Sequence, residues 1–154
     1  MKLDAAIIAM DMDDTLLQSD LSISDRTVQT LAAAAEKGIK IILASGRSPE
    51  AITPHARRIG LDKMNSYLFC HNGALIITSD THEIVCEHKL PANVAVEAFR
   101  LIIDAGLSCH VYENDVIYVS KETEYSERDY FCQDSNPSSP MITKPCSIKV
   151  CSNL

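Results

Sequence analysis

A chain of 154 residues is long enough for one domain with a real core, or for one domain and part of a second. A hydrophobic fraction of 46% is that of an ordinary globular protein, and a formal net charge of −7, with Arg57-Arg58 the one adjacent basic pair, argues against a nucleic-acid surface. No apolar run approaches the roughly 20 residues of a membrane span, and Ala5–Met10, flanked by Asp4 and Asp11, is too short for a secretory leader. A cytoplasmic protein with no membrane contact is the expectation.

Cys70, Cys86, Cys109, Cys132, Cys146 and Cys151 are spread without a CxxC pair. They read as reduced thiols rather than a disulfide framework or a zinc site, with Cys70 and Cys109 as small buried side chains.

The elements follow in chain order. Residues 5–10 form a short apolar run bounded by charge, the mark of a buried strand. After a polar loop, Asp25 to Lys37 reads as a helix capped by Ser24, with Val28, Leu31, Ala32 and Ala35 on one face and Gly38 just past its end. Ile39 to Ala44 is a second continuous apolar run. Ser48 caps another helix opened by Pro49, with Ile52, Ala56 and Ile59 along one side and Gly60 at its close. Tyr67 to Cys70 is a third strand. Strands separated by helices, each uniformly apolar, predict a parallel α/β sheet covered on both faces, half of a doubly wound domain.

The pattern then changes. Ala74–Thr78 and Glu83–His88 predict a hairpin, and Pro91 opens a helix to about Ala105 whose stripe of Val94, Ala98, Leu101 and Ile102 suggests core packing. Leu107–Tyr112 and Val116–Ser120 predict a second hairpin. Residues 122–132 suggest a charged helix, 136–140 a loop and 147–151 a last strand. The expected division is an α/β domain over residues 1–80 and an α+β domain over 81–154.

Chemistry concentrates where the first strand stops. Asp11, Asp13 and Asp14 place three carboxylates in four residues, followed by Thr15. Such neighbours repel one another unless a hard cation such as Mg²⁺ screens them, and open α/β folds place their sites at the carboxyl ends of strands. One carboxylate can then attack phosphorus while the other moves a proton; a solvated acidic loop is the competing reading. Ser45-Gly46-Arg47 ends the second strand at the same rim, supplying a hydroxyl, an open backbone amide and a helix N-terminus suited to an anion, or else ordinary turn chemistry. Arg47 suits a substrate phosphate or merely a surface carboxylate. Asn72, after the third strand, either shapes the site or makes a turn. His55, His82, His88 and His110 lack companions at metal-ligand spacing and read as ordinary.

These segments resemble one family. Asp11-Met12-Asp13-Asp14-Thr15-Leu16-Leu17, Ile41-Ile42-Leu43-Ala44-Ser45-Gly46-Arg47 and Asn72-Gly73-Ala74 look like motifs of the haloacid-dehalogenase superfamily, in particular its Cof-like sugar-phosphate phosphatases. The family often has Gly at the place of Asp14 and Thr at that of Ser45. The resemblance implies Asp11 as a nucleophile forming an aspartyl-phosphate and Asp13 as general acid/base. It implies Mg²⁺ held by Asp11 and Asp13 (the latter through its backbone carbonyl), with Ser45 and the Gly46 amide binding the phosphate; Arg47 and Asn72 are the further phosphate-binding candidates at the rim. It implies a small phosphorylated metabolite as substrate and the second half as a cap over the site. Family members also continue past the cap to supply a lysine and a further acidic motif, which this sequence does not reach by Leu154. Weak or absent turnover of this polypeptide alone is therefore expected, as is self-association through an incomplete sheet edge. A phosphotransferase or phosphomutase on the same fold, and a non-catalytic dimerising module, are the alternatives. A receiver-type signalling domain fits less well, since its acceptor aspartate belongs on a later strand.

Overall fold

The computed structural model describes residues 6–113, 116–121, 123–124 and 143–145. Strand β1 (Ile7–Asp11) lies parallel to β2 (Lys40–Ala44), pairing Ile7 with Lys40 and Asp11 with Ala44. β3 (Tyr67–Cys70) continues the parallel set, with Ala44 opposite Phe69. β4 (Leu75–Thr78) and β5 (Ile84–Glu87) complete the sheet as an antiparallel hairpin, in spatial order β1-β2-β3-β4-β5. The sheet is therefore mixed, three parallel strands followed by two antiparallel ones. The switch has a simple cause. Helical crossovers join the first three strands, whereas a short turn joins β3 to β4 and only an antiparallel return is open to it.

The crossover helices begin where side chains can cap them. α1 (Asp25–Glu36) starts at Ser24, whose hydroxyl accepts the Thr27 amide at 3.1 Å, and Gly38 takes a left-handed φ of 83° just past its end. α2 (Pro49–Arg58) starts at Ser48 with Pro49 in its first turn, and Gly60 at φ 78° follows it. Arg58 ion-pairs with Asp25, tying the end of one helix to the start of the other. Leu31, Ile41, Leu43, Ile52, Ile59 and Leu68 form one buried cluster between these elements. The buried Ser66 hydroxyl donates to Ile41 O, and the Ser79 hydroxyl accepts the Ser66 amide and donates to the carbonyls of Leu61 and Met64, which satisfies polar atoms that burial would otherwise penalise.

The chain divides into two compact units, Met1–Lys89 and Leu90–Leu154. The expected boundary after residue 80 cuts the second hairpin strand from its partner. Pairing of Leu75 with Glu87 and of Ile77 with Ile84 keeps β5 in the first unit. In the second unit lie α3 (Ala92–Asp104) and a three-stranded sheet of β6 (His110–Glu113), β7 (Val116–Val119) and β8 (Thr143–Pro145). β6 and β7 are the expected hairpin, and β8 joins parallel to β7.

Three packing expectations fail: β1, expected to be buried, alternates exposed and half-buried residues, Cys109 is half-buried, and the stripe of α3 is not core. None of the residues of α3 is buried, with Val94 42% and Leu101 64% exposed. An apolar stripe becomes core only where another element covers it; in this one Ala98 and Ile102 are half-buried while Val94 and Leu101 are exposed. The expected helix at 122–132, the loop at 136–140 and the strand at 147–151 lie outside the described residues, apart from Thr123 and Glu124.

Candidate active site

Asp11 is the last residue of β1, and the chain turns at once through Met12–Leu16. Met12 is fully buried and its carbonyl accepts the Leu17 amide at 2.9 Å, so an apolar anchor fixes a turn whose flanking carboxylates, Asp11 and Asp13, stay exposed. Asp14 takes a left-handed φ of 55°, a conformation that aspartate tolerates better than most residues.

β2 runs directly into Ser45-Gly46-Arg47, and backbone bonds stitch this segment to the end of β3. The Ser45 amide donates to Phe69 O at 2.9 Å, Asn72 N to Ser45 O at 3.0 Å and His71 N to Arg47 O at 3.0 Å. His71, Asn72 and Gly73 all have positive φ, at 50°, 55° and 87°. A histidine in that region costs energy, and these cross-strand bonds offset it. The outcome is that Asn72 lies over Gly46: a Cβ at Gly46 would stand 3.2 Å from Asn72 Oδ1 and 3.3 Å from Nδ2. Glycine is favoured here by close approach rather than by its own dihedrals, since a Cβ would push the Asn72 amide aside by a few tenths of an ångström.

Ser45 is buried and its Oγ accepts the Arg47 amide at 3.2 Å, while its own O–H remains a donor. Arg47 is only 5% exposed, yet it reaches the rim. Its Nε donates to Asp13 Oδ2 at 3.0 Å and its Nη2 to Asp13 Oδ1 at 2.5 Å. This is a two-pronged guanidinium–carboxylate pair, with one strand-end motif gripping the other. The Arg47 bonds hold the Asp13 carboxyl below its ordinary pKa, against the opposing effect of burial. His55, on α2, stands within electrostatic reach of the pair. Burial, and then the Arg47 cation, push its imidazole below the ordinary value, while Asp13 pulls the other way.

Asp11, Asp13, Ser45, Gly46, Arg47 and Asn72 thus sit on three adjacent strand ends at one rim of the sheet. Arg47 stands bonded to Asp13, the second of the two partners that the sequence left open to it. His55 was missed by sequence reasoning. Its one available signal was its place two turns along the helix that leaves this rim.

Among the described residues, no three His, Cys, Asp or Glu side chains converge as a ready-made metal cage. The donors at the rim are all oxygens, from Asp11 and the Asp13 turn. Mg²⁺ keeps several waters and takes one or two protein carboxylates plus a substrate phosphate, so this donor set fits that ion and no closed cage is needed.

The haloacid dehalogenase-like hydrolase family model matches residues 8–148. An HMP-PP phosphatase from Shigella flexneri serotype 5b is 30% identical over 119 residues, covering 77% of this chain and 42% of that protein. The Bacillus subtilis (strain 168) protein YxeH is 28% identical over 112 residues, covering 73% and 42%. Among solved structures, a haloacid dehalogenase-like hydrolase from Bacteroides thetaiotaomicron superposes with a TM-score of 0.73 at 26% identity, covering 86% of this chain and 52% of that one. A HAD subclass IIB sugar phosphatase, BT4131, does so with a TM-score of 0.68 at 23% identity, covering 82% and 48%, a likeness of fold. The chain spans about half the length of these relatives or less. With its three motifs at one rim and the family model over nearly its whole length, the chain belongs to the haloacid dehalogenase-like hydrolases.

Proposed function

We propose that this chain carries the phosphoryl-accepting site of a Mg²⁺-dependent phosphatase acting on small phosphorylated metabolites such as sugar phosphates. The observation that carries the reading is the bonded junction of the first two motifs, with Arg47 on Asp13 and Asp11 paired in register with Ala44, one residue before Ser45. Relatives named as HMP-PP phosphatases and a sugar phosphatase of the same fold agree with this substrate class.

In this account the Asp11 carboxylate attacks phosphorus and the bond to the leaving oxygen breaks. The departing alcohol takes a proton from Asp13 in its acid form. Water then attacks the aspartyl-phosphate, Asp13 as carboxylate takes the proton, and the Asp11–phosphorus bond breaks. The Ser45 hydroxyl, the Gly46 amide and the Asn72 side chain cradle the equatorial oxygens. When bound by the Asp11 carboxylate and the Asp13 carbonyl, Mg²⁺ would neutralise charge between the nucleophile and the phosphate. The Met1–Lys89 unit serves as core and the Leu90–Leu154 unit as part of a substrate-selecting cap.

The test is chemical trapping. The chain is incubated with Mg²⁺ and a small acyl phosphate and then reduced with borohydride, which converts an aspartyl-phosphate to homoserine. Homoserine at Asp11, absent without Mg²⁺, supports the reading. Its appearance only elsewhere contradicts it.

A further inference from the structure

We propose that Arg47 is a positioning residue, which acts on the reaction through Asp13 rather than as a ligand of the phosphate. The inference rests on the phosphatase reading above and assigns the division of labour within that site.

Three observations carry it. The pair is two-pronged, at 3.0 and 2.5 Å, so it fixes both the place and the plane of the Asp13 carboxylate. The two partners are unequally anchored: Arg47 is 5% exposed and Asp13 51%. Arg47 is also pinned through its backbone, its amide bonded to Ser45 Oγ and its carbonyl to His71 N, with the Ser48 cap directly after it. Asp13, by contrast, stands on a turn with extended backbone (φ −72°, ψ 132°) beside the left-handed Asp14. A short side chain on such a turn samples several rotamers unless something holds it. The buried arginine is the fixed member and the carboxylate the one being held.

The geometry also leaves Asp13 able to work. Each carboxylate oxygen has two lone pairs, and Arg47 takes one on each. The second lone pair of either oxygen remains to receive a proton from water attacking the aspartyl-phosphate. In that step the water oxygen bonds to phosphorus, its proton passes to Asp13, and the Asp11 oxygen leaves with its electron pair. A base must lie within hydrogen-bond reach of the proton it takes, so orientation of this carboxylate sets the rate of that step.

The lifetime of the aspartyl-phosphate tests this in a double-mutant cycle. The phosphoenzyme is formed from an acyl phosphate, whose carboxylate leaving group needs no proton, so its formation does not depend on Asp13. Arg47→Gln should lengthen the lifetime by roughly a hundredfold, as Asp13→Asn should. The double variant should be no slower than Asp13→Asn alone. Arg47→Lys, a cation without the fork, should recover only part of the loss. Thermal unfolding of each variant checks that it folds, and Asp13→Asn keeps the buried arginine in place should Arg47→Gln fail to fold. If Arg47→Gln or Arg47→Lys slows breakdown as much in the Asp13→Asn background as in the parent, Arg47 acts on the phosphate and the proposal falls alone. If the parent forms no phosphoenzyme, the phosphatase reading falls and takes the proposal with it.

Discussion

Asp13 and Arg47 are 34 positions apart, and their pairing is the most consequential contact in the molecule. It has a thermodynamic signature independent of catalysis. Because Arg47 depresses the native Asp13 pKa, the pair stabilises the fold above the ordinary carboxylate range near pH 4, and that contribution is lost as pH falls through the lower native value. Solvent screens the half-exposed Asp13, so Arg47→Gln should cost about 1 kcal/mol at neutral pH, with the gap from the parent narrowing in acid. Urea unfolding at several pH values measures it; a gap that widens in acid contradicts the pairing. Gly46 makes a separate prediction. An alanine there must displace the Asn72 amide by a few tenths of an ångström, and Asn72 is exposed enough to give way. Gly46→Ala should cost less than about 1 kcal/mol of stability yet weaken binding of a phosphate mimic at least tenfold. Equal binding would mean that the Gly46 amide is not part of the cradle. Cys70 offers a third check. Burial, with Glu50 adding to it, pushes its thiol up to about 12, so it should resist iodoacetamide at pH 8 in the native chain and react once unfolded, while half-buried Cys86 reacts before it.

At the scale of elements, what the sequence made legible were features with local causes. Ser24 and Ser48 mark helix starts because a hydroxyl satisfies an amide three residues on, and the glycines past both helices mark their ends. Ser24→Ala should cost about 1 kcal/mol and Leu31→Ala about 2–4, both read by thermal unfolding; a silent Leu31→Ala would show that α1 does not pack as described. Features decided by distant partners were not legible. Whether Arg47 meets a phosphate or a carboxylate depends on where the turn at Met12–Leu16 aims Asp13. The exposure of Val94 and Leu101 depends on what lies over α3, which a helical stripe cannot reveal. β8 is three residues ending in proline, too short to give a period. His55 gave only the weak signal of its place on α2, because electrostatic proximity to Asp13 leaves no trace in spacing.

For the molecule as a whole, the sheet order explains why so few residues form a recognisable site: β1, β2 and β3 are consecutive neighbours, so one rim collects all three motifs. Among the described residues β1 pairs along one edge only, and Ile7 is 56% exposed. Such an edge recruits other strands. The chain should run as a dimer or larger species in light scattering coupled to size exclusion, and Ile7→Lys should shift it toward monomer; an unchanged monomer would sink that expectation. Among the described residues no helix is long and apolar enough to cross a bilayer.

The proposed chemistry begins with Asp11 accepting a phosphoryl group beside Mg²⁺. Beryllofluoride mimics that group on a carboxylate, so thermal unfolding of the chain with Mg²⁺ and beryllofluoride tests it most directly. The melting temperature should rise only when both reagents are present, and the rise should vanish in Asp11→Asn. A parent chain whose melting is unmoved by the pair, or an Asp11→Asn variant that responds as fully as the parent, would contradict it.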